Sequence, residues 1–154
     1  MAQSNQRSIP VWLLALAAVL LVARIVTYVT KAEVADQVSW LTIEQGLARA
    51  RTTNKPILYD FTADWCAPCH QLDAEIFQDV QFARTINETF VPVRVVDRKQ
   101  EEGRNTPAVA ALQKRYGVNG FPTLVFADPN GAERARMEGF RDAKEFERVM
   151  EQAR

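Results

Sequence analysis

Cysteine and histidine, the residues that most often carry reactive chemistry, are scarce here: two and one in 154 residues. Two cysteines cannot staple a disulfide scaffold. Joined by one histidine, they fall short of the four ligands of an ordinary structural zinc site. The chain has no internal repeat and no low-complexity tract, which excludes solenoids and compositionally disordered classes. It has no basic patch interleaved with aromatics, so nucleic acid is not an expected partner. Net charge is also lacking, with 19 basic and 19 acidic residues. The balance is uneven, because the first 31 residues hold Arg7, Arg24 and Lys31 and no acid. At 154 residues, one domain with an appendage is the expected organisation.

What is present is concentrated in Asp60-Phe61-Thr62-Ala63-Asp64-Trp65-Cys66-Ala67-Pro68-Cys69-His70. This stretch holds both cysteines, the only histidine, and an acid inside an apolar run. Two cysteines separated by two residues support three chemistries: dithiol/disulfide exchange, part of a metal site, or, with the following His70, attachment of a c-type haem. The flanking pattern bears on the choice. Residues 57–62 are apolar and rich in β-formers, and read as a short buried strand. From Cys69 onward the pattern is helical, with Leu72, Ile76 and Phe77 on one face. The cysteine pair therefore lies at a strand-to-helix turn, where free N–H groups and the positive dipole end stabilise a thiolate. Pro68 suits a first helical turn. Cys66 is expected to be the more exposed cysteine. Asp60 is either a buried carboxyl whose raised pKa tunes it as a proton acceptor or a solvent-facing acid at a strand end. Asp64 reads as surface charge and His70 as a helix-surface residue.

Trp65-Cys66-Ala67-Pro68-Cys69 after a strand, Asp60 six residues before the first cysteine, and a later Phe121-Pro122-Thr123 resemble the thioredoxin superfamily. The segment from Asp60 to Cys66 most resembles the C-terminal thioredoxin-like domain of membrane thiol:disulfide interchange proteins. The resemblance covers the chain from about Trp40 to its end. It implies an α/β thioredoxin fold and a thiol–disulfide oxidoreductase that needs no cofactor beyond a redox-active Cys66–Cys69 disulfide. It implies Cys66 as nucleophile, Cys69 as resolving thiol, and Asp60 as the proton acceptor of Cys69. Trp65, Pro68, Phe121 and Pro122 support the site, with a cis peptide before Pro122. The implied partners are disulfide-containing proteins and a membrane or thioredoxin-like electron donor. Ala67-Pro68 is similar to the Gly-Pro of reductants rather than the Pro-His of strong oxidants, so reduction is the expected direction and disulfide formation the alternative. The haem or metal carrier reading leaves Asp60, Trp65 and Phe121-Pro122-Thr123 without a role. One departure is Ala74, where thioredoxins proper carry a kinking proline.

Ahead of this lies a tail, residues 1–8, and an apolar stretch, residues 9–29, interrupted among charged types only by Arg24. As a helix, 21 residues span about 31 Å, roughly a bilayer's hydrocarbon thickness. Trp12 and Tyr28 lie near its ends, where amphipathic rings settle, and Arg24 can snorkel to the interface. The expectation is one N-terminal transmembrane anchor in a bacterial-type inner membrane, with the catalytic domain in the periplasm. The alternative is a signal peptide with its core at residues 11–23, cleaved to leave a secreted or periplasmic protein. Residues 30–41 read as linker and 42–154 as the thioredoxin-like domain.

Within that domain, Thr42 to Gln45 forms a capping box that opens a helix with Ile43, Leu47 and Ala50 on one face. Residues 79–88 read as helix, 90–96 as strand, 97–106 as loop and 107–116 as helix. Residues 123–127 and 132–140 read as strands joined by the turn Asp128-Pro129-Asn130-Gly131. Asp142 caps a final helix with Ala143, Phe146, Val149 and Met150 inward. Strands alternating with helices and ending in a hairpin predict a mixed sheet covered on both faces.

Overall fold

A computed structural model describes residues 11–29 and 37–154. The chain divides into two compact units, one ending at Ala35 and one running from Asp36 to Arg154. In the first, α1 covers Val11–Val29. Its 19 residues span about 28 Å at 1.5 Å each. Trp12, Leu13, Leu16 and Val19 to Val22 are exposed along it. Among the described residues, no helix is long and apolar enough to cross a membrane. The tail 1–8 and the first two residues of the expected anchor lie outside the described residues.

In the second unit, α2 (Ile43–Thr53) opens on the expected capping box: Thr42 Oγ1 accepts from the Gln45 N–H, and the Gln45 side chain accepts from the Thr42 N–H. It ends at Asn54 in the left-handed region, ahead of Pro56. Four strands follow in the spatial order β2-β1-β3-β4. β1 is Ile57–Ala63, β2 Val91–Asp97, β3 Thr123–Ala127 and β4 Glu133–Glu138. β1 runs parallel to β2 and antiparallel to β3, and β3 and β4 form the hairpin. At the hairpin turn the Gly131 N–H donates to the Asp128 carbonyl at 2.7 Å, and Gly131 takes φ +85°, which an L side chain rarely adopts. The sheet is mixed and flanked by helices, as the element order predicts.

Strand alternation divides the core. On one face Ile57, Tyr59 and Phe61 meet Val91, Val93, Val95 and Val125 under α2 and α6 (Pro107–Tyr116). On the other, Leu58, Leu124 and Phe126 pack with helical residues from α3 (Ala67–Leu72) through α7 (Ala143–Ala153), among them Leu72, Ile76, Phe77, Phe146 and Met150. Val38 and Trp40, in the stretch expected as linker, join this second cluster. Leu41 bridges to Val93 at the sheet edge.

Helix boundaries differ from the sequence pattern in two places. The redox helix starts at Ala67 rather than Cys69, because Cys66 itself is its N-cap. It then loosens into a π-helical turn over Asp73–Phe77 before α4 (Val80–Thr89) begins behind an Asp79 cap. Ala74, where a kinking proline was missed, lies inside this turn. The 97–106 loop contains one short helix, α5 (Lys99–Glu102), ended by Gly103 at φ +74°.

Candidate active site

β1 delivers the site. Its last residues lead through Asp64 and Trp65 to Cys66, and the Cys66 N–H donates back to the Ala63 carbonyl at 3.1 Å. Cys66 and Cys69 are joined in a disulfide, with their Cα atoms 5.3 Å apart. The Cys69 N–H donates to Cys66 Sγ at 3.2 Å. The same N–H also donates to the Cys66 carbonyl at 3.0 Å, so it is shared between the cap's carbonyl and its sulfur. Pro68 occupies the first turn, where its missing N–H leaves nothing unpaired.

The expected difference in exposure between the cysteines is corrected. Both are buried, at 2% each, because the disulfide lies between Ala63 and Phe121. Position at the cap, not exposure, separates Cys66 from Cys69. Trp65 is 50% exposed and meets the Phe121 ring edge to face, centroids 5.9 Å apart. The Phe121–Pro122 peptide is cis. The loop is held from both sides: Thr123 Oγ1 donates to the Gly120 carbonyl at 2.8 Å, and the Gly139 N–H donates to the Pro122 carbonyl at 2.7 Å. Trp65, Cys66, Cys69, Phe121 and Pro122 are thus brought to one end of the sheet.

Two other residues of the motif are tethered. The exposed His70 donates from Nε2 to the Asp64 carbonyl at 2.9 Å, bracing the loop before the cysteines. Asp64 is more than free surface charge, since its carboxylate pairs with Arg98.

Asp60 is buried, at 1% exposure, so the solvent-facing alternative does not hold. It shares its sheet face with Leu58, on the side covered by the redox helix. Its partner is one the sequence pattern missed. Arg94, directly in register on β2, donates from Nε to Asp60 Oδ2 at 3.0 Å and from Nη2 to Asp73 Oδ1 at 2.6 Å. The available signal was a lone charge inside the otherwise apolar run of 90–96.

A second buried acid was also missed. Asp97, at the end of β2, accepts from the Lys99 N–H at 3.0 Å, from Gln113 Nε2 at 2.8 Å and from Asn105 Nδ2. Burial pushes its carboxyl pKa up, but the hydrogen bonds of Gln113, Asn105 and Lys99 outweigh that and hold it below the usual range. Asp97, Asn105 and Gln113 line a cavity of about 350 Å³ that also touches Trp65, Gly120 and Phe121. They form a polar wall of the surface beside Trp65 and Phe121.

Both sulfurs are bonded to each other in this structure. Among the described residues, no cluster of His, Cys, Asp and Glu could hold a metal ion. The site is a disulfide, a two-electron redox group, with an amide donating to the Cys66 sulfur.

The comparisons agree with this geometry. The thiol:disulfide interchange protein DsbD of Salmonella paratyphi A is 35% identical over 106 residues, which cover 68% of this chain and 17% of that protein. The chain thus spans about a sixth of the length of such relatives. The oxidised C-terminal domain of Neisseria meningitidis DsbD superposes with a TM-score of 0.59 at 26% identity, covering 72% of this chain and 91% of that one. A DsbH oxidoreductase gives a TM-score of 0.64 at 23% identity over 99% of this chain and 94% of its own, which shows a shared fold. The family model described as a thioredoxin-like domain matches residues 43–154. The chain therefore belongs to the thioredoxin-like domain family.

Proposed function

We propose that this chain is a membrane-anchored disulfide reductase for exported proteins. The observation that carries the reading is the Cys66–Cys69 disulfide, capped by the Cys69 amide and flanked by the cis-proline loop. In the reduced protein, the Cys66 thiolate attacks one sulfur of a substrate disulfide. That bond breaks, one substrate sulfur leaves as a thiolate that takes up a proton, and a mixed disulfide joins Cys66 to the other. Cys69 then loses its proton to Asp60 and attacks Cys66 Sγ. The mixed disulfide breaks, the second substrate thiol departs, and the Cys66–Cys69 bond closes. Two electrons have passed to the substrate. A donor dithiol, from a membrane protein or another thioredoxin-like protein, reverses these steps on the oxidised pair.

Trp65 and Phe121 form the apolar rim against which the substrate segment rests, and the Pro122 loop offers it backbone groups. No bound cofactor takes part. The reading takes residues 9–29, an apolar run interrupted among charged types only by Arg24, as the anchor that holds the domain at the periplasmic side of a bacterial-type inner membrane. Cleavage after the apolar segment would release the same domain into the periplasm.

The direction of transfer is set by the stability of the thiolate form. Ala67-Pro68 between the cysteines supports a reductant. Equilibration of the full chain with glutathione or dithiothreitol buffers tests this. A reductase gives a potential near that of thioredoxin, about −270 mV, whereas a strong oxidant lies near about −120 mV.

A further inference from the structure

Two hollows share a wall beside the mouth of the site. The first, of about 350 Å³, begins at Trp65, Gly120 and Phe121. The second, of about 640 Å³, is lined by residues of α5, α6 and the loops that follow them, Arg104 and Lys114 among them. Lys99, Asn105, Gln113, Val118 and Asn119 line both, so the two form one groove leading away from Trp65 and Phe121. Its wall is fixed by hydrogen bonds. Asn105 and Gln113 both donate to the buried Asp97 carboxylate, and Asn105 Nδ2 also donates to Gln113 Oε1 at 3.0 Å.

The groove is positive. Lys99, Arg104 and Lys114 are exposed along it. Among the described residues, none of the three is within ion-pair distance of a carboxylate. Neither Glu101 nor Glu102 of α5 lines the groove, and Glu102 lies instead along a separate hollow that Arg104 also touches. The one acid in the wall is Asp97, whose oxygens are occupied by the Lys99 N–H, Asn105 and Gln113. Three cations against that one carboxylate leave an excess of positive charge, and a cleft lined by one sign of charge concentrates its field.

We propose that this groove seats an acidic segment of the protein whose disulfide is exchanged, close in sequence to the cysteine that joins Cys66. This rests on the exchange reading above, in which Trp65 and Phe121 form the rim for that protein. An extended segment advances about 3.3 Å per residue, so carboxylates two to four residues from the attacked cysteine lie about 7–13 Å along the groove. Each exposed ion pair is worth a factor of about two, so three together give a preference of about tenfold.

The test uses short peptides with one cysteine, oxidised to symmetric disulfides. One carries three aspartates two residues after the cysteine, a second carries them two residues before it, and each has a twin with serines instead. The full chain in nonionic detergent is reduced and mixed with excess peptide. Loss of the Cys66 and Cys69 thiols is followed by alkylation and mass spectrometry. Each rate is divided by that of the same peptide with dithiothreitol, which removes differences in intrinsic reactivity. At about 0.01 M ionic strength, where the Debye length is about 30 Å, one acidic peptide should react about tenfold faster than its twin. At about 1 M, where that length is about 3 Å, the preference should vanish. The variant Lys99→Gln, Arg104→Gln, Lys114→Gln should lose it at low salt. A variant of equal charge, Arg49→Gln, Arg51→Gln, Lys144→Gln, should keep it, because those cations line neither hollow.

The proposal is overturned if neither acidic peptide is preferred, if the groove variant keeps the preference, or if the control variant loses it equally. If the groove variant fails to fold, a wild-type preference that survives high salt overturns it. A wild-type protein whose thiols persist with every peptide and with oxidised glutathione overturns the exchange reading itself, which is a different result.

Discussion

Trp65 and Phe121 meet edge to face across the mouth of the site, with ring planes at 73° and centroids 5.9 Å apart. One belongs to the loop that delivers Cys66 and the other to the loop that ends in the cis proline. The pair couples the loop before the redox helix to the cis-proline loop. A ring pair of this kind is worth about 0.5–1.5 kcal/mol beyond its buried area.

Phe121→Ala removes Trp65's ring partner and uncovers the disulfide, which packs against Phe121. The expected result is a several-fold fall in kcat/KM for a protein disulfide, with a smaller effect on a small-molecule disulfide that needs no rim. Steady-state rates with insulin and with oxidised glutathione compare the two. Equal losses on both would mean that Phe121 supports the cysteines rather than the substrate.

Gly46 on α2 lies against β2 so closely that an added methyl would sit 2.1 Å from Val93 Cγ2. Val93 is buried and β-branched, so it has little room to turn. Helix propensity alone favours Gly46→Ala by about 1 kcal/mol, but overpacking costs about 1–3 kcal/mol. The expected outcome is net destabilisation, seen as a lower urea midpoint. Val93→Ala should cost less in the Gly46→Ala background than alone.

Most of the architecture was legible in the sequence because local signals agreed with the fold. The Thr42 capping box, the Pro107 start, the Asp128-Pro129-Asn130-Gly131 turn and the Asp142 cap each set a boundary that the structure reproduces. The cysteines and the cis proline were legible through a short motif with a family behind it. What was not legible depends on pairing across strands. Arg94 reads as a break in an apolar strand until register places it beside Asp60. The Asp97, Asn105 and Gln113 network joins three segments with no shared periodicity. The π-helical turn leaves no residue signature, since Asp73–Phe77 reads as ordinary helix.

That network makes acid stability specific to Asp97. Its native pKa lies below the ordinary carboxylate value, so its contribution is complete above the unfolded value of about 3.9 and is lost as pH falls through the native one. Asp97→Asn places an amide donor against the amides of Asn105 and Gln113. The expected cost is about 1–3 kcal/mol at pH 7, shrinking below about pH 4 as the wild type loses its own carboxylate. Urea unfolding at pH 7 and pH 3 checks this. A constant difference across both would remove ionised Asp97 from the account.

Deleting residues 1–35 removes one compact unit and leaves the other from Asp36 onward. The expected product is a folded, water-soluble domain with unchanged exchange activity. The full chain should instead float with phospholipid vesicles in a density gradient. Full-length protein that stays in the aqueous fraction would contradict the anchor.

The central claim is that Cys66 attacks and Cys69 resolves. The direct measurement is trapping of mixed disulfides with a protein disulfide substrate, read by mass spectrometry in paired variants. Cys69→Ser should accumulate a covalent adduct at Cys66 that persists until a thiol reductant is added, because the resolving sulfur is gone. Cys66→Ser should form no adduct at a comparable rate, since Cys69 lacks the cap position facing its own amide. An adduct forming on Cys69 in the Cys66→Ser variant as fast as on Cys66 in its counterpart would contradict the assignment.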